Sequence, residues 1–86
     1  MENKNSFELK IVSPTSEKKI QLEWLDVKTD IGDFFVGPDH EDLIAILKDR
    51  SKISYKVLHE ANSQAIDIYS GFIKIYNKQV LIVVDL

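Results

Sequence analysis

Apolar residues recur at every second position along most of the chain: Phe7, Leu9 and Ile11; Ile20, Leu22 and Trp24; Ile53, Tyr55 and Val57; Ile66 and Ile68; Ile73 and Ile75; Val80, Ile82 and Val84. A period of two places these side chains on one face of an extended segment, so the pattern predicts strands that bury one side. After Trp24 the pattern slips by one residue, since Leu25 and Val27 continue it out of phase. A slip of that kind predicts a β-bulge or sharp bend between Trp24 and Leu25. The segment Val80 to Val84 is apolar at every position, which predicts a strand that is central in its sheet or covered on both faces. Left as an open edge it would template aggregation.

Turn-forming residues separate these runs at Ser13-Pro14-Thr15-Ser16, Asp30-Ile31-Gly32, Gly37-Pro38-Asp39, Glu60-Ala61-Asn62-Ser63 and Tyr76-Asn77-Lys78-Gln79. The dipeptide Ser70-Gly71 is read most simply as one more strand-to-strand turn. Short strands at this spacing predict an all-β fold, a β-sandwich or flattened β-barrel of roughly eight to ten strands. One segment is ambiguous by local signals. Asp39 followed by Asp42 could cap a short helix lined by Leu43, Ile44, Ile46 and Leu47, and the same run is equally compatible with a buried strand.

The chain has 86 residues, enough for one domain with a single modest core. Hydrophobic residues make up 44% and charged residues 29%, a balance that supports unaided folding. The first residues, 1–6, are polar and expected to be flexible. A net charge of −3 with no basic run longer than Lys18-Lys19 argues against nucleic acid as a partner. Cysteine is absent, so the core must hold by packing alone, as suits a reducing compartment. No segment has the length of apolar sequence needed to span a bilayer. No direct membrane insertion is expected, and a cytosolic or peripheral location follows.

Catalytic constellations are not formed by the residues present. The two histidines, His40 and His59, fall in different turns or strand ends, and no His-x-His or HExxH spacing offers a metal pair. Ser70 lacks the flanking glycines of a nucleophile elbow. With Gly32, Gly37 and Gly71 the only glycines, no phosphate-cradling motif occurs, so no cofactor is expected. Asp39, Glu41 and Asp42 beside His40 read as a hydrated turn before they read as an acid/base set. A small hydrolase using His40 is the enzyme alternative, and a free-standing β-sandwich adaptor is the non-enzymatic one.

The stretch Ile31-Gly32-Asp33-Phe34-Phe35-Val36-Gly37-Pro38-Asp39-His40 has the look of a docking loop between two strands. Together with the opening Phe7-Glu8-Leu9-Lys10-Ile11-Val12-Ser13-Pro14 and the closing hairpin from Ser70 to Asp85, it resembles the N-terminal β-sandwich of the epsilon subunit of F-type ATP synthase. In that family an acid-Gly-acid loop runs into a Pro-Gly-His corner, matched here by Gly32-Asp33 and Pro38-Asp39-His40. Its closing Asn-Lys-x-Val strand is matched by Asn77-Lys78-Gln79-Val80. Asp39 stands where the family has glycine, Glu41-Asp42 replace its Ala-Pro, and Phe35 replaces a small residue.

The resemblance implies a non-catalytic rotor subunit at the foot of the central stalk, on the cytoplasmic face of the inner cell membrane. Its partners would be the gamma subunit and the ring of c subunits, and indirectly the alpha/beta catalytic head. It also favours an extended segment after His40. Family members commonly carry a C-terminal helical hairpin that inhibits ATP hydrolysis; a chain ending naturally at Leu86 would lack that device. The residues implied at the interface are Gly32, Asp33, Pro38 and His40, with Tyr69 and Tyr76 flanking the last hairpin. Trp24, Phe34 and Phe35 are expected in the core, because aromatic side chains are the largest apolar groups a small sandwich has to bury.

Overall fold

The computed structural model describes residues 6–86, so the polar start expected to be flexible lies, apart from Ser6, outside the described residues. Eight strands follow in order: β1 Phe7–Ser13, β2 Ser16–Thr29, β3 Gly32–Val36, β4 Leu43–Leu47, β5 Lys52–Val57, β6 Gln64–Asp67, β7 Ser70–Tyr76 and β8 Gln79–Asp85. Among the described residues there is no helix. The ambiguous segment after His40 is therefore strand β4. Its alternate residues Ala45 and Leu47 are buried while Ile44 and Ile46 face outward, a period-two burial that a helix would not give.

The strands pair in the order β1-β8-β7-β4-β2-β5-β6, with β3 also on β2 and β1 also on β2. The path from β1 through β8, β7 and β4 thus returns to β2, whose first half pairs with β1. Closure of that path leaves few free edges, which suits a chain rich in apolar strands. Strand β8 lies between β1 and β7, as its unbroken apolar run predicted.

Strand β2 makes this possible by bending. Its residues Ser16 to Leu22 pair with β1, then Leu22 to Asp26 pair with β5 and Leu25 to Thr29 with β3. The register shifts between Leu22 and Trp24, so Glu23 is the extra residue of a bulge. The bulge was expected after Trp24 and sits one residue earlier. That single step matters, because it turns Trp24 away from the core, where Leu22 and Leu25 on either side are fully buried.

One core fills the space between the layers, built from Leu9, Leu22, Leu25, Val27, Leu47, Ile53, Ile73 and Ile82 with their neighbours. Each fully buried Leu or Ile contributes roughly 1.5–3 kcal/mol relative to exposure. No disulfide crosslinks the domain, since no cysteine is present. The β7–β8 hairpin turns through Asn77 and Lys78, whose φ angles of 49° and 60° are those of a type I′ turn matched to strand twist. Ser70 and Gly71, expected to form a turn, instead open β7, and Ile68 and Tyr69 make the link from β6.

Candidate functional site

The stretch from Gly32 to His40 is not a loop throughout: Gly32 to Val36 form strand β3, registered against Leu25 to Thr29. Two aromatics and a valine in succession favour extension, and a two-residue turn at Asp30-Ile31 sets the register. Thr29 anchors that turn. Its buried hydroxyl donates to the Gly32 carbonyl at 2.7 Å and accepts the Ile31 N–H at 3.2 Å.

As a result Asp33 and His40 stand at opposite ends of β3. The Asp33 end holds the β2–β3 turn and, through the Thr29–Leu47 and Leu47–Gly71 pairs, the start of β7. Tyr69 lies there too, its N–H donating to the Asp85 carbonyl at 2.7 Å and its ring 5.5 Å beneath the Arg50 guanidinium. Asp33 is exposed and pairs with Lys28 at 3.5 Å. Gly32 takes a φ of 131°, a conformation other residues rarely adopt.

The other end gathers Pro38, His40 and Tyr76. Leu43 pairs with Ile75 there, which brings the loop after β3 beside the β7–β8 turn, and Lys78 reaches Asp39 at 3.9 Å. His40 is half-buried with its ring edge on Phe34, centroids 6.3 Å apart. Its Nδ1–H donates to the Glu41 carbonyl at 2.8 Å, and its own N–H donates to the Gly37 carbonyl at 3.3 Å. An open groove at this end is lined by Pro38, Asp39, Asn77 and Lys78, but not by His40. Tyr76 lies under the Lys74 ammonium, 4.8 Å from the ring centroid. The six residues expected to contact gamma or the c-ring thus fall into two groups of three.

Two outer faces were missed by the sequence reading. On the first, Val12, Val83, Phe72 and Ile46 stand side by side across β1, β8, β7 and β4, each the register partner of the next. Ile44 extends the row at 70% exposure, and Ile46 is 56% exposed. Apolar side chains aligned in this way form a patch of the kind that marks protein contact sites. The run Leu43 to Leu47 hid it, because a sequence apolar at nearly every position does not say which residues face out.

On the second face Trp24 and Phe35 stack with ring centroids 5.6 Å apart and planes at 28°. Phe35 is 65% exposed and Trp24 half-buried, so neither is the core residue expected of it. The bulge at Glu23 accounts for Trp24, and alternation along β3 for Phe35, since Phe34 takes the inward position against the core. Among the described residues no three of His, Cys, Asp and Glu gather to hold a metal ion.

Comparison with known proteins agrees with this architecture. A comparison with curated proteins finds no match. Among solved structures, a chain of the Tetrahymena thermophila mitochondrial ATP synthase central stalk and c-ring superposes with a TM-score of 0.79 at 13% identity, covering 99% of this chain and 67% of that one. A chain of the Euglena gracilis mitochondrial ATP synthase, from its OSCP/F1/c-ring structure, gives 0.79 at 14% identity over 99% of this chain and 52% of that one. At such identities the likeness establishes a shared fold. The family profile described as ATP synthase, Delta/Epsilon chain, beta-sandwich domain matches residues 6–86, and the chain therefore belongs to that family.

Proposed function

We propose that this chain is a rotor subunit of an F-type ATP synthase central stalk, passing torque between the c-ring and the gamma subunit through protein contacts alone. The observation that carries this reading is the apolar row Val12, Val83, Phe72 and Ile46 with Ile44 beside it, an outward sheet face with no covering element among the described residues. Gamma docks on that face and extends to the end that holds His40. Asp33, at the far end with Gly32 and Tyr69, meets the polar loops of the ring. A location peripheral to the membrane, on its cytoplasmic side, follows from this arrangement.

The structure suits the role mechanically. A sandwich closed through β2 and packed around one core resists shear, because sliding any strand breaks ladder hydrogen bonds and unseats buried side chains together. Torque transmission needs that stiffness more than it needs chemistry.

The test is co-purification of gamma with the tagged full chain from native cells. Wild-type chain is expected to bring gamma with it, whereas Ile46→Asp, which places a charge at the exposed β4 end of the row beside Ile44, is expected to cut recovery by about tenfold or more, the scale of an interface hot spot. Recovery of other proteins without gamma would favour the free-standing adaptor instead.

A further inference from the structure

We propose that the outer face of β3, β2 and β5 is a second docking surface, built to receive an arginine side chain of a partner polypeptide. It is built from other strands than the apolar row and does not depend on the rotor reading.

Charge pairing on this face is complete except at one position. Lys28 pairs with Asp33, Lys52 with Asp67 and Lys56 with Glu23, so the three lysines around Asp26 on this face each have a carboxylate. Asp26 has no cationic partner among the described residues, although it stands in the middle of the face. Its register partner on β3 is Phe35 and on β5 is Ser54. Trp24 lies two residues before it on the same strand face, stacked on Phe35.

An unpaired carboxylate beside a stacked aromatic pair whose Phe35 ring is exposed suits one side chain better than any other. A guanidinium is planar, so it can lie flat along the Phe35 ring while its N–H groups bond the Asp26 carboxylate in pairs. An ammonium offers the charge without the flat face and is more strongly hydrated. The fixed lysines on either side, each already neutralised, leave Asp26 as the attractive point and disfavour a second cation nearby. Phe35 and Trp24 supply the apolar area that a charge pair alone would lack at an exposed site.

Trp24 is the only tryptophan in the chain, so its fluorescence reports on this face alone. The purified full chain is titrated with the peptide acetyl-Leu-Arg-Gly-Arg-Leu-amide and with the same peptide carrying citrulline in place of arginine. A saturable change in emission is expected with the arginine peptide and not with citrulline. Asp26→Asn should weaken that binding by about tenfold, the scale of a charge-assisted hydrogen bond, and Phe35→Ala by about threefold through the lost stacking contact. Phe35 is exposed, so the second variant keeps the test open should the first fail to fold. No saturable change with the arginine peptide, equal binding of the citrulline peptide, or unchanged binding by folded Asp26→Asn would overturn the proposal. Loss of gamma co-purification with an intact peptide response would count against the rotor reading only.

Discussion

Gly71 lies directly opposite Val84 in the β7–β8 ladder, and the backbones approach so closely that no side chain fits between them. A Cβ on Gly71 would collide with the Val83 carbonyl oxygen and press against Cα and Cγ1 of Val84 at 3.0 and 3.1 Å. The residue has no positive φ, so space alone requires glycine here. At an unstrained strand position with room for a methyl group, Gly→Ala stabilises by about 0.4–1 kcal/mol through the unfolded chain. Gly71→Ala is expected to do the reverse, lowering stability by about 1–3 kcal/mol as overpacking does. The sign of the shift in the urea midpoint decides between the two.

Thr29 is the one buried polar residue among those described, and its hydroxyl holds both sides of the β2–β3 turn. Thr29→Val keeps the shape and removes both hydrogen bonds, leaving the Ile31 N–H and the Gly32 carbonyl to find water at the surface of the turn. A loss of about 1–2 kcal/mol is expected. Thr29→Ser retains the hydroxyl and should recover most of that loss in the same denaturation series. Equal destabilisation by both variants would show that the threonine methyl, and not the hydroxyl, carries the effect.

What could be read from the sequence followed the strength of the alternation. Phe7, Leu9, Ile73, Ile75, Val80, Ile82 and Val84 sit in clean period-two runs, and each is buried. The aromatic residues were misplaced for a physical reason: hydrophobicity fixes a face only if the phase is known, and the bulge at Glu23 shifts the phase before Trp24 rather than after it. Phe34 and Phe35 are adjacent, so in a strand one of them had to face outward whichever was chosen. The division of Asp33 from His40 was hidden differently. Six residues separate them in sequence, and only the pairing of β3 with β2 shows that Gly32 to Val36 run extended before the chain turns from Gly37 to His40.

Leu25 and Ile44 test the assignment of inside and outside. Both are large aliphatic residues in strands, yet Leu25 is fully buried and Ile44 is 70% exposed. Leu25→Ala removes core volume that the surrounding strands cannot refill, and a loss of about 2–5 kcal/mol is expected. Ile44→Ala should fall within about 0.5 kcal/mol of the parent, as surface substitutions do. Thermal unfolding of the two variants beside the parent checks both expectations, and comparable losses would mean that the β4 register is wrong by one residue.

Asp33→Lys separates fold from assembly at the end of the sandwich proposed to meet the ring. Lys28 is the register partner of Asp33 on β2, so the substitution sets two ammonium groups across from one another in place of an ion pair. Both side chains are well exposed, and an exposed pair is worth only about 0–1 kcal/mol, so the isolated domain should stay folded with a slightly lower midpoint. At a docked surface the same reversal acts in a drier setting, where like charges brought together cost several kcal/mol. Coupled ATP synthesis by membranes carrying the variant is therefore expected to fall sharply while the purified chain unfolds almost as the parent does. Asp33→Asn, which removes the charge without reversing it, should give an intermediate loss. Full synthesis with Asp33→Lys would place the ring contact elsewhere on the molecule.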